Sequence, residues 1–208
     1  MKSLATLGVP VVVDLGSGLI DDACSWLQEG RPSWLGEEPA VKQTLESGAD
    51  LVTFSCDKLF GGPQAGVIVG RSDLVETCAN HPLMRAFRPG ALVLNALQQT
   101  ALAYLRRDGD SIPFWRMAQT PVTELLARAD AMPIGRTAHT MAMTGGGSLP
   151  GEQIPSAGIE IDGDISRGLR DANTPVIARV HDQTTVIDLR TVDPSDDSLV
   201  VAAVASSI

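Results

Sequence analysis

No apolar run in the sequence is long enough to cross a bilayer. The longest unbroken one, Leu199 to Ala205, falls far short of the roughly 18 residues a membrane-spanning helix needs, and Met1-Lys2-Ser3 is followed by no secretory-signal core. A soluble, intracellular protein of the cytoplasm is expected, with no membrane partner. Basic side chains are also scarce. Sixteen Lys and Arg face 25 Asp and Glu, and the formal charge of -9 at pH 7 excludes a strongly basic nucleic-acid module. Cysteine is rare: Cys24, Cys56 and Cys78 are odd in number and lack C-x-x-C spacing, which argues against a disulfide framework or a structural zinc site. His81, His139 and His181 are scattered without ligand spacing, so no metal site is expected. What remains, 208 residues that are 44% apolar and 20% charged, suits a globular chain of one large domain or two small ones.

The first part of the chain alternates short apolar runs with glycine turns. Val9 to Asp14 reads as a buried parallel strand that stops at Leu15-Gly16-Ser17-Gly18, and strand ends of this kind commonly hold ligands. Val41 to Ser47 reads as a short helix stopped by Gly48, Ala49 to Ser55 as a second strand, and Ala65 to Gly70 as a third after the Gly61-Gly62-Pro63 turn. Ser72 is expected as the N-cap of a helix through about Ala79. Leu94, Leu97, Ala101 and Tyr104 recur on one helical face and read as core. From Ser111 the character changes. A helix is expected over 113–131, a glycine-rich loop over Met141 to Pro150, a strand over Gln153 to Ile161 and a helix over Ile165 to Ala172. Two antiparallel strands, Val176 to Val180 and Thr185 to Leu189, would follow, in a mixed sheet with helices on one side. The loop lacks the Gly-Lys-[Ser/Thr] ending of nucleotide-binding loops and reads as a hinge or turn.

Chemistry concentrates in Thr53-Phe54-Ser55-Cys56-Asp57-Lys58-Leu59-Phe60-Gly61-Gly62-Pro63-Gln64-Ala65-Gly66. A lysine just past an apolar strand can be held in a protected pocket, where desolvation favours the neutral amine able to form a Schiff base. Ser55 could offer a hydroxyl to a phosphate. Asp14 closes the preceding strand, where a parallel sheet would bring it beside Lys58, and a carboxylate there can pair with a pyridinium nitrogen, as pyridoxal phosphate chemistry requires. Taken singly, Lys58 reads as a solvated surface charge and Asp14 as a turn residue; together on successive strand ends they point to a site.

These residues carry a resemblance. The segments Asp14 to Gly18, Ser55 to Gly66 and His81 to Arg88, with Gly146 to Pro150, Pro155 to Ala157, Pro175 to Arg179 and Asp188 to Arg190, are similar in order and content to bacterial selenocysteine synthase, L-seryl-tRNA(Sec) selenium transferase, of the fold type I pyridoxal 5'-phosphate enzymes. The resemblance implies an α/β chain. Residues 1–110 would be the C-terminal part of a large, mostly parallel cofactor-binding domain, and 111–208 a small α+β domain. It implies Lys58 as the cofactor lysine, Asp14 as partner of the ring nitrogen, and Ser55 and Gly16 as further cofactor-binding positions. Asp57 would assist proton transfer or hold an arginine. Arg85 and Arg88 would bind the anionic selenium donor, and Arg179 would be a weaker substrate contact.

The implied reaction converts seryl-tRNA(Sec) to selenocysteinyl-tRNA(Sec) with selenophosphate, in a homo-oligomer. The resemblance further implies a chain of about half the family's length, lacking the N-terminal part that holds the tRNA. Cys56 departs from the glycine usual there; if that backbone needs a positive φ, placement of the lysine comes into question. Two other readings remain: a related ammonia-lyase acting on a small amino or sugar acid, and a non-catalytic remnant of the fold.

Overall fold

In the computed structural model, residues 4, 6, 8–145 and 148–208 are described. Their contacts divide the chain into two units: the described residues up to Arg116 together with Thr144–Glu152, and Met117–Met143 together with Gln153–Ile208. No helix among the described residues is long and apolar enough to cross a membrane.

The first unit is built on a three-stranded sheet, β1 (Val12–Gly16), β2 (Leu51–Ser55) and β3 (Gly66–Gly70), in the order β1-β2-β3. β1 runs parallel to β2, and β3 antiparallel to it. β1 starts and ends later than the apolar run suggests. Pro10 has no N–H to give a ladder, while Leu15 packs into the core and Gly16 pairs with Phe54 across an irregularity after Asp14. Because strand side chains alternate between faces, Val13, Val52, Phe54, Val67 and Val69 turn to a core that also takes in Val41, Phe60 and Leu97. Asp14, Thr53 and Ser55 fall on the other face. A second cluster joins Leu19, Trp26, Leu35, Leu59, Ile112 and Trp115, each such side chain contributing about 2 kcal/mol of burial.

Helices α1 (Val41–Glu46), α2 (Ser72–Asn80), α3 (Leu83–Phe87) and α4 (Ala91–Arg106) complete this unit with the start of α5 (Pro113–Gln119). Ser72 is not the N-cap of α2. Arg71 holds that place in a non-helical conformation, and Asp73 lies in the first turn. The single helix expected over 113–131 is two, α5 and α6 (Val122–Ala131), because Pro121 lacks an N–H and disfavours the helical conformation of Thr120.

The second unit holds a four-stranded sheet of β4 (Arg136–Ala142), β5 (Ile154–Asp162), β6 (Arg179–His181) and β7 (Thr184–Asp188), in the order β4-β5-β7-β6. It is antiparallel at every strand pair, not mixed, since each strand returns through a hairpin or a short helical excursion. Asp182 and Gln183 both take positive φ, as a two-residue hairpin turn requires. β4 absorbs Met141 and Ala142, expected in a loop; Gly146 and Gly147 of that loop lie outside the described residues. Helices α6, α7 (Ser166–Asp171) and α8 (Asp197–Ala205) supply Leu125, Leu169 and Val204 to a core with Ile159, Ile187 and Leu189.

Candidate functional site

β1 and β2 end side by side, and both chains then turn sharply. In the first turn Gly18 takes a φ of +77°, and a Cβ there would stand 2.6 Å from the carbonyl oxygen of Ser55, so only glycine lets the two strand ends approach. The amide of Leu59 donates to the carbonyl of Ser17 at 2.9 Å, which fastens the turn carrying Lys58 to the turn after β1. Lys58 is half-buried. Its Nζ reaches Gly16: a Cβ built on that glycine would lie 3.6 Å from it. Gly16 is two residues along β1 from Asp14, roughly 7 Å by strand rise.

Asp14 faces Thr53 across the parallel pair, and the Thr53 hydroxyl donates to its Oδ1 at 3.0 Å. Among the described residues no hydrogen bond is made to Oδ2 of Asp14. Asp14, Thr53 and Ser55 line a cleft of about 450 Å³ with Cys78 of α2 and Met84 and Phe87 of α3. Lys58 is not among the residues lining it. The structure thus brings Asp14 and Ser55 to one cleft, while Lys58, outside that lining, reaches Gly16.

The remaining candidates fall elsewhere. Asp57 is exposed on the turn. Arg85, in the last turn of α3, and Arg88, its C-cap, are both exposed and share a separate depression of about 420 Å³ with Pro89, Gly90, Ala91 and Leu94. Arg179 belongs to the second unit. Its guanidinium donates to the carbonyl of Met141 at 2.8 Å and to Oδ2 of Asp188 at 3.1 Å. Asp188 also accepts from Thr140, Ser156 and the amide of Arg190.

A family model described as SelA, L-seryl-tRNA selenium transferase, matches residues 2–193. The chain belongs to the L-seryl-tRNA selenium transferase family. It is 34% identical, over an alignment of 225 positions, to the L-seryl-tRNA(Sec) selenium transferase of Alkaliphilus oremlandii (strain OhILAs), covering 98% of this chain and 47% of that relative. To the enzyme of the same description from Moorella thermoacetica it is 37% identical over 221 positions, covering 97% of this chain and 46% of the relative. The chain spans about half the length of the curated relatives it matches. Among solved structures, D-glucosaminate-6-phosphate ammonia-lyase superposes with a TM-score of 0.62 at 20% identity, over 99% of this chain and 51% of that one. At that identity the likeness is one of fold. The α/β class expected from the sequence is therefore the fold of this chain, shared with about half of that structure.

Pyridoxal phosphate is the cofactor that the resemblance implies, and the residues present fit it in two respects. The amine of Lys58 reaches Gly16, a position without a side chain two residues along β1 from Asp14. The hydroxyl of Ser17, next to that glycine, is buried and has no partner among the described residues. The concern over Cys56 falls away. Its backbone is not among those with positive φ, and its amide and carbonyl are held by Ala65 and Gly62. The side chain is fully buried, and burial pushes the thiol up to about 11, which keeps it protonated and inert.

Two residues near the site carry no sequence signal of their own. Thr53 reads as one more β-branched residue until its register with Asp14 is known. Tyr104 reads as core, and its ring is; its hydroxyl, however, reaches the Lys58 turn.

Proposed function

We propose that this chain is the lysine-bearing part of a pyridoxal-phosphate-dependent selenium transferase, the family reaction being conversion of seryl-tRNA(Sec) to selenocysteinyl-tRNA(Sec) with selenophosphate. The observation that carries this reading is the Lys58 amine held against Gly16, on the strand that also bears Asp14. When bound, the cofactor supplies an electron-withdrawing ring that makes the α-proton of an attached amino acid acidic. Lys58 Nζ is the atom that would hold the cofactor and, once displaced by the substrate amine, take that α-proton. Asp14, with one oxygen fixed by Thr53, would present the other to the ring nitrogen. Ser55 would donate to the phosphate, and Asp57, at the exposed edge of the turn, would assist proton transfer.

Arg85 and Arg88 share one open depression, and their guanidinium forks suit the oxyanion of selenophosphate. Arg179 has two of its nitrogens bound within its own unit, which supports a structural role better than a substrate contact. Phe87, Leu92 and Leu105 are 70%, 89% and 81% exposed, apolar surface that supports assembly as a homo-oligomer, which we place in the cytoplasm. The identity to named transferases favours this reading over the ammonia-lyase, to which the likeness is of fold only.

The test is to incubate the protein with pyridoxal phosphate, reduce with borohydride and map the adducts. The chain has three lysines, Lys2, Lys42 and Lys58. Adduct should concentrate on Lys58 and vanish from that peptide in Lys58→Ala. An even spread over the three would overturn the reading. Turnover of seryl-tRNA(Sec) against free amino acids then separates transferase from lyase.

A further inference from the structure

Residues 56–60 form no helix or strand, yet the proposed chemistry needs the amine in their midst to stand still. The turn has its own backbone bonds: Gly61 donates to the carbonyl of Lys58 at 2.9 Å and Gly62 to that of Cys56 at 2.7 Å. Bonds within a turn do not say where it sits. That comes from α4. The hydroxyl of Tyr104 lies 3.0 Å from the carbonyl oxygen of Phe60 and 3.3 Å from that of Leu59, the two carbonyls immediately after Lys58. A phenol has one proton, so it is shared between the two acceptors, and the oxygen remains able to accept. It accepts from Trp115 Nε1 at 2.8 Å. The Tyr104 ring is stacked on Phe60, with centroids 5.2 Å apart and planes 21° apart, and meets Trp26 edge-on at 4.8 Å. Burial raises the Tyr104 hydroxyl well above the ordinary phenol range, so it stays a donor at any working pH.

We infer that Tyr104 is a positioning residue for Lys58: its hydroxyl, oriented by Trp115, anchors the carbonyls of Leu59 and Phe60 and so sets where the lysine amine stands. This rests on the reading of Lys58 as the cofactor lysine. Trp26 supplies the control. It touches the same ring, but its own Nε1 has no partner among the described residues, so it packs against the chain of bonds without joining it.

The experiment uses the whole chain and two measurements. Hydrogen exchange followed by mass spectrometry reads the 56–62 peptides without any cofactor. Reductive trapping with pyridoxal phosphate reads the ratio of adduct on Lys58 to adduct on Lys42, which lies outside the turn and pairs with Asp21. Tyr104→Phe removes only the hydroxyl, and it should speed exchange in 56–62 and lower the trapping ratio, each about five- to tenfold, the effect of one lost hydrogen bond. Trp115→Phe should shift both in the same direction by less, and it carries the test if Tyr104→Phe does not fold. Trp26→Phe should shift neither.

Wild-type exchange and ratio in Tyr104→Phe would overturn the inference, as would an equal loss in Trp26→Phe, which would make the effect one of packing. A wild-type protein that traps no better at Lys58 than at Lys42 would instead overturn the cofactor-lysine reading, with the exchange data still deciding the anchoring of the turn.

Discussion

Asp14 shows how a single side chain is made usable by a neighbour the sequence does not advertise. Asp14 lies within β1 rather than at its end as the apolar run suggested, and the Thr53 hydroxyl beside it donates to its Oδ1 and so restricts the carboxylate's rotation. Thr53→Val keeps the shape and removes the donor. It is expected to weaken retention of pyridoxal phosphate about fivefold or more while leaving the melting temperature nearly unchanged, measured by equilibrium dialysis and calorimetry. Equal retention by variant and wild type would show that Asp14 needs no such support. Lys58 and Asp14 stand out as candidates in the sequence because each is a charge at or just past the end of an apolar run. Thr53 does not, because its meaning depends on which residue of β1 lies beside it, and a shift of one residue would have turned it to the other face.

The elements of the first unit are tied at their starting ends by Asp50. Its Oδ2 accepts the amide of Val11 just before β1, its Oδ1 accepts from Arg71 at the cap of α2, and Arg71 also pairs with Asp73. The hydrogen bond from the Val11 amide, followed by that from Arg71, holds the Asp50 carboxyl below the usual carboxylate range. With the folded value below the unfolded one, the unfolded chain binds more protons as the solution is acidified. The contribution of Asp50 is therefore fully present above its ordinary value of 3.8 and lost as pH falls below that and through the lower folded value. Asp50→Asn should lower stability at neutral pH and flatten its dependence on pH in the acid range, followed by urea unfolding between about pH 7 and pH 3. Equal slopes for both proteins would remove Asp50 from this role. The same elements mark the reach of pattern reading. The apolar runs of β2 and β3 and the helical spacing on α4 located those elements, whereas the start of β1, the cap of α2 and the break at Pro121 depended on single backbone groups that periodicity does not report.

At the scale of the molecule, each of the two units has its own core, and the second is organised around a buried cation. Arg190 is 5% exposed; its guanidinium donates to the carbonyls of Met117, Ala118 and Thr120 and to that of Pro155, joining the end of α5 to β5. Burial lowers its pKa, and the Asp188 carboxylate offsets part of that. Arg190→Ala would leave those carbonyls without their donor and should destabilise the second unit by about 3 kcal/mol, seen as faster hydrogen exchange across β5. Unchanged protection there would mean the carbonyls find other partners.

By itself the sequence determined the family, from motifs that recur in order along the chain, and the α/β class, from the phase of apolar residues, and it singled out Lys58 and Asp14 as candidates by residue type and place. Only the tertiary structure decided that Thr53 bonds Asp14, that Nζ of Lys58 reaches Gly16 and that Tyr104 and Trp115 hold the turn between them. Those partners lie far apart in the chain, and what brings them together is lateral register and side-chain packing, which no local pattern encodes.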